Sequence, residues 1–289
     1  MTARIEPIDY VERWRRIVVA RREQHDAVCS AQGRDTSDYW ARRAAGFRKF
    51  AQEGAAMADP YLECVLRHLR PGDTVLDVGA GTGRHAVPLA AHARRVIALD
   101  PSPAMLGFLR QDVASHGLSN VEIVEGTWPG AADRVPQVDV VTCAHVLYPV
   151  EEIETFLRAL DGHARRFCLL NLMVRQPWFD QLQLWETVHG EPRLPQPAYI
   201  DAVNVLHQLG CYANVELTWV EQRRGFESLE DAFERFAESV AVADDPDQRR
   251  RLNEALAARL ELVEGEGLVS PVRRYPLATV WWEAGALKR

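Results

Sequence analysis

Short apolar runs alternate with stretches of helical period along most of this chain. The sharpest run is Val75-Leu76-Asp77-Val78, apolar and β-branched as a strand buried on both faces should be. Similar runs recur at Arg95–Leu99, Val121–Val124, Val138–Thr142 and Arg166–Leu172. Between them lie helical segments at His85–Ala93, Ala104 onward and Glu151–Leu160. Strands alternating with helices predict a parallel sheet covered on both faces. Ser102 is placed to cap the helix after the second strand, with Pro103 in its first turn.

The flanks have a different rhythm. Tyr10, Trp14, Ile17 and Val18 fall on one face of an N-terminal helix, and a second helix is predicted from Ser37 to Gln52. Tyr61–Leu69 reads as a helix leading into the turn at Pro71-Gly72. Beyond Leu172, Gln176–Trp185 gives an aromatic helix, and Ala198–Leu209 a helix stopped by Gly210. Tyr212–Val220 alternates as a strand, and Pro276–Glu283 is a last strand. Between those two, Leu229, Phe233, Phe236 and Val240 mark one amphipathic helix; Leu252, Leu256, Leu260 and Val263 mark another.

The first strand breaks into Gly79-Ala80-Gly81-Thr82-Gly83-Arg84 and then a helix. Strand, glycine turn and helix present backbone N–H groups to a ligand. The dinucleotide fingerprint needs its third glycine at position 84, which is Arg84, so the NAD reading is disfavoured. Asp100 ends the second strand, where a carboxylate can hold two ribose hydroxyls. Together, Val75–Arg84 and Ala98–Met105 resemble the first two motifs of class I S-adenosylmethionine-dependent methyltransferases. The resemblance is firm from about Val75 to Leu172.

That resemblance implies a Rossmann-like, seven-stranded, mostly parallel α/β sheet with helices on both faces, closed by a hairpin of the last two strands. It implies an N-terminal helical cap over 1–58 and a methyltransferase domain over 59–289, with a helical insertion at about 228–265. S-adenosyl-L-methionine is the implied cofactor. Its methionine end falls to Gly79, Ala80, Gly81 and Gly83, with Asp77 orienting the amino group and the backbone at Ala144 meeting it. Asp100 and Pro101 fall at the ribose, and Met105 near the adenine. Thr127 stands where the family carries an acid against the adenine, with Trp128 expected to stack on the ring. The segment holding Tyr39 and Trp40 resembles helices that cap the cofactor. His145 and Tyr148 are implied to face the methyl acceptor, His145 being the candidate general base. Tyr148 is read equally as a substrate contact or as core, and His145 alternatively as a loop or cofactor contact.

Composition narrows the acceptor. A net charge of −7 over 289 residues disfavours a nucleic-acid partner. Five scattered cysteines without a C-x-x-C pair argue for free thiols and against a metal site. The N-terminus lacks a signal-peptide core, and no apolar run approaches 18 residues, so a cytoplasmic, membrane-free protein is expected, as monomer or homodimer. There is no Pro-Pro-Tyr or Pro-Pro-Phe motif at the fourth strand and no Pro-Cys pair, which disfavours amino methylation of adenine or glutamine and cytosine C5 chemistry. A small-molecule methyl acceptor is the remaining expectation. A non-catalytic cofactor-binding protein and an RNA methyltransferase are the alternatives. His189, Glu191 and Arg193 are read as surface residues, with Arg193 or Arg175 available to clamp an anionic acceptor.

Overall fold

The computed structural model describes residues 7–33, 44, 46, 48, 59–174, 179–265 and 267–287. Its centre is a sheet of seven strands. These are β1 (Thr74–Val78), β2 (Arg95–Asp100), β3 (Val121–Glu125), β4 (Val138–Ala144), β5 (Ala164–Met173), β6 (Asn214–Gln222) and β10 (Arg273–Glu283). They lie in the order β3-β2-β1-β4-β5-β10-β6. β1 to β5 run parallel, and β10 pairs antiparallel with both β5 and β6. The predicted closing hairpin is therefore present.

Alternation along the parallel strands sorts two cores. Leu76, Val78, Val141, Cys143, Leu170 and Leu172 join one, while Val75, Val140 and Leu169 join the other. On the first face lie α1 (Tyr10–Ala31), α5 (Ile153–His163) and α7 (Tyr199–Gln208). The second face is covered by α2 (Pro60–His68), the single turn α3 (Ala86–Leu89) and α4 (Pro103–Ser115). Pro88 sits inside α3, and the bonds beyond it tighten to the i−3 type, so this helix is shorter than the sequence pattern implies. Ser102 caps α4 through Met105 N–H at 3.4 Å, and Pro103 is its first residue.

A third core is separate. It gathers Leu184, Trp185 and Val188 from α6 (Phe179–His189) with Phe233 and Phe236 of α8 (Leu229–Ala237) and Leu252 and Leu256 of α9 (Pro246–Ala257). Cys29 joins it, so α1 reaches from Trp14 in the first core to the third. The sequence predicts a helical insertion, but the observed one is not purely helical. β7 (Gly225–Phe226), β8 (Glu261–Val263) and β9 (Gly267–Val269) form a three-stranded antiparallel sheet within it. Leu260 and Val263, which extend the period of α9, fall instead after its end and on β8, because α9 stops at Ala257. The helix predicted over Ser37–Gln52, with Tyr39 and Trp40, lies outside the described residues apart from three isolated positions.

Candidate active site

The site lies at the carboxyl ends of β1, β2, β4 and β5, where an open parallel sheet binds ligands. Gly79 turns the chain out of β1 at φ +75°, and a Cβ there would sit 2.2 Å from Val146 Cγ2. Gly81, at φ +56°, has nothing within 4 Å of such a Cβ, so its outer side is open. Asp100 ties this turn to β2. Its two carboxylate oxygens accept N–H bonds from Gly81 and Ser102, each at 2.9 Å. Burial raises the Asp100 pKa, and those two bonds offset only part of the rise.

Asp77 sits beneath the turn, almost wholly buried. One carboxylate oxygen accepts from Thr142 Oγ1 at 2.9 Å, and the other has no partner. Burial raises its pKa; His85 and the Thr142 bond oppose the rise, and Asp100 adds to it. Strand register puts Asp77 beside Thr142, Ala144 beside Asn171, and Asn171 beside Thr279. All four polar side chains are buried in a stripe across the sheet. Asn171 Oδ1 in that stripe is also without a partner. Two buried acceptors lacking donors, next to an open glycine turn, suit a ligand bearing positive charge and N–H groups. S-adenosylmethionine, with its ammonium and sulfonium, fits that donor set.

Above the stripe, Asp59 caps α2 through Leu62 N–H. It also receives Arg84 Nη2 at 2.9 Å and His85 Nε2 at 3.3 Å. Burial opposes its charge, but His85 and Arg84 outweigh this and hold the carboxyl well below its ordinary range. Tyr61 donates to Leu169 O at 3.0 Å and accepts from Cys143 N–H at 3.2 Å, bridging β4 and β5. Sequence reasoning assigned no site role to Asp59, Tyr61, His85 or Asn171. Asp59-Pro60 is a visible helix-start signal, and Asn171 is a visible polar break in the apolar run Cys168–Met173. Their convergence is a tertiary fact.

Ala144 ends β4, and His145 follows in the left-handed region at φ 59°. Its N–H bonds Asn171 O at 2.9 Å. The ring Nδ1 lies 3.0 Å from the Tyr148 hydroxyl, which also accepts Met173 N–H at 3.0 Å. The phenol donates to Nδ1 when the neutral ring carries its hydrogen on Nε2, and accepts from it in the other tautomer. Burial, with the charges of Arg84 and His85, lowers the His145 pKa to about 3. Burial pushes the Tyr148 phenol well above its ordinary value. The Nδ1 contact with Tyr148 and the lowered pKa weigh against the general-base expectation for His145.

Other expected contacts divide. Met105 is buried in the first turn of α4, whereas Pro101 at the end of β2 and Thr127 beyond β3 are exposed. Trp128 is a correction: its indole N–H reaches Phe156 O at 3.4 Å and its ring meets His163 edge-on at 4.8 Å. That buried ring belongs to the first core, not to a stack on adenine. His189 and Arg193 are not free surface residues. His189 Nε2 bonds Val240 O at 2.7 Å, and Arg193 lies 3.9 Å over the Trp185 ring while donating to Gln24 Oε1. Arg175 lies outside the described residues. Among the described residues no group of three or more His, Cys, Asp or Glu could hold a metal ion, and no helix is long and apolar enough to cross a membrane.

The comparisons agree with this geometry. Residues 75–166 match a methyltransferase domain family. An uncharacterized protein of Haemophilus influenzae is 30% identical over 197 residues, which cover 66% of this chain and 70% of that one. A probable cobalt-precorrin-6B C(15)-methyltransferase (decarboxylating) of Methanothermobacter thermautotrophicus is 36% identical over 83 residues, covering 27% of this chain and 43% of its own. A putative methyltransferase of Bacillus halodurans superposes with a TM-score of 0.52 at 16% identity, over 78% of this chain and 99% of that one, a likeness of fold alone. The chain belongs to the class I S-adenosylmethionine-dependent methyltransferases.

Proposed function

We propose that this protein transfers a methyl group from S-adenosylmethionine to a small-molecule acceptor. The observation that carries the reading is the pair of donorless buried acceptors, Asp77 Oδ2 on β1 and Asn171 Oδ1 on β5, together with the open glycine turn that follows β1. When bound, S-adenosylmethionine supplies a methyl group already activated on sulfur. Gly79, Ala80, Gly81 and Gly83 form the cradle for its methionine end, Asp77 orients the amino group, and the Ala144 backbone meets it. Asp100 holds the ribose beside Pro101, and Met105 and Thr127 border the adenine.

The chain's remaining task is to hold the acceptor in line and dry. Positioning of that kind supplies about 7–11 kcal/mol of a barrier. His145 faces the acceptor as a neutral Nε2–H donor. In that tautomer Tyr148, 3.0 Å from Nδ1 and anchored by Met173 N–H, is the donor to the ring. An acceptor atom that is already nucleophilic when neutral, or ionised on its own, suits a site without a strong base. The net charge of −7 supports a small acceptor over RNA. The archaeal relative is named for a precorrin, also a small molecule. Five buried cysteines, none in a disulfide, suit a reducing compartment such as the cytoplasm.

The test is transfer of a labelled methyl from S-adenosylmethionine into separated small-molecule, RNA and protein fractions. Label in the small-molecule fraction supports the reading. Label confined to RNA or protein, or binding without any transfer, contradicts it.

A further inference from the structure

Exposed apolar side chains gather at one edge of the large sheet. β6 is that edge, and among the described residues it pairs with β10 alone. Its residues alternate. Val215, Leu217 and Trp219 are 40%, 49% and 57% exposed, while Glu216, Thr218 and Val220 are half-buried on the other face. Ala278 and Val280 of β10, the register partners of Leu217 and Val215, are buried in the first core with Ala202, Val205 and Leu206 of α7. Cover by α7 therefore stops at β10, and the apolar face of the sheet runs on uncovered across β6.

The opposite edge is built differently. β3 has five residues, and its apolar side chains pack into the cores on both faces. β6 has nine residues and carries no Pro, Lys or Arg, the types that commonly guard an edge. Its two carboxylates are matched within the chain. Arg67 pairs with Glu216, and Arg274 Nε lies 4.0 Å from Glu221 while its guanidinium stands 5.1 Å over the Trp219 ring. The backbone of a long, flat edge fits another strand, and the side chains select which one.

We propose that β6 pairs antiparallel with β6 of a second copy of this chain, about a two-fold axis at Leu217. In that register Leu217 meets Leu217 of the partner subunit, and Val215 meets Trp219 of the partner subunit. On the other face Glu216 meets Thr218 of the partner subunit, and Asn214 meets Val220 of the partner subunit. Apolar residues face apolar ones along the exposed stripe, and no like charges are opposed. Moving the axis by one residue loses this match. Centred on Glu216, two carboxylates meet; centred on Thr218, Val215 meets Glu221 of the partner subunit. The seam is thus self-complementary, as an isologous interface must be. The inference is independent of the methyl-transfer reading.

The test is sedimentation equilibrium of the full chain at micromolar concentration, where the wild type is expected at twice the chain mass. Leu217→Lys should weaken association by on the order of a hundredfold, because a two-fold seam counts the change twice. Leu262→Lys, at an 82% exposed residue of β8, should leave association unchanged. Both variants should keep the wild-type circular dichroism spectrum. Oxidation of Leu217→Cys should link two chains through residue 217, since the five native cysteines are buried. Val215→Cys should not link, because the two copies of residue 215 stand four positions apart, about 14 Å. A wild type at one chain mass leaves the stripe to a different partner and overturns the proposal. So does a dimer that survives Leu217→Lys, one that Leu262→Lys disrupts equally, or linking at residue 215 in place of 217.

Discussion

The glycine turn after β1 and the insertion between β6 and β10 expose their chemistry by opposite means. The turn offers backbone geometry, with Gly81 open outward, Asp100 holding its N–H and Asp77 buried below. The insertion offers side chains, with Arg224, Arg259 and Arg273 near Leu184, Phe226 and Phe236. Backbone recognition forces glycine at fixed spacing and so leaves a mark in the sequence. Side-chain recognition uses residues that also serve as ordinary surface or core, and nothing in their spacing announces them.

The sharpest way to break this contrast is at the turn. Gly79→Ala and Gly81→Ala both place a side chain at positive φ, at about 1–2 kcal/mol of backbone strain. Gly79→Ala also drives its Cβ into Val146, so it should lower the melting temperature as well as S-adenosylhomocysteine affinity. Gly81→Ala meets only open space, so its Cβ falls where the ligand lies. It should keep most of its stability and lose affinity by on the order of a hundredfold, combining strain and contact loss. Calorimetry beside thermal denaturation separates the two; equal behaviour of the variants would dissolve the distinction.

Asp77→Asn should have opposite signs in the two measurements. Asp77 has its pKa raised by burial, so the folded protein binds its proton more readily than the unfolded chain does. Such a group favours folding below its ordinary pKa of about 3.9 and loses that contribution as pH rises through the raised value. At neutral pH the asparagine variant should therefore melt higher without ligand and lose part of this pH dependence. Its S-adenosylhomocysteine affinity should fall by about 1.5–3 kcal/mol, the range for a hydrogen bond to a charged group. Lower stability together with unchanged affinity would remove Asp77 from the site.

His145 gives a smaller effect confined to acid. Its folded pKa of about 3 lies below the ordinary 6.5, so folding disfavours its protonation. Stability should decline as pH falls from about 6.5 towards 3, and His145→Gln should lessen that decline. Nitrogen-detected NMR should show a neutral Nε2–H ring from pH 5 to 8; a titration near 6.5 would restore the general-base role. The smallest expected change is Ser102→Ala, about 1 kcal/mol of stability from the lost cap of α4.

Legibility followed the same divide. The parallel strands could be read because both their faces are buried, giving apolar runs such as Val138–Thr142. The glycine turn could be read because backbone demands permit few residues. Trp128 could not, since an indole suits a core and a ligand stack equally; only the contacts with Phe156 and His163 decide it. Asp59 joins Arg84 and His85 across 25 and 26 positions, and a lone acid before a proline does not reveal that partner. Leu260 and Val263 continued a helical period past the end of α9, where pairing with β9 makes a strand instead.

The measurement that tests the account most directly is a calorimetric titration of S-adenosylhomocysteine into wild type and Gly81→Ala, with NAD in a parallel cell. The account predicts one site per chain in the wild type, loss in Gly81→Ala and no heat from NAD. Binding of NAD instead, or S-adenosylhomocysteine affinity indifferent to Gly81→Ala, would contradict it.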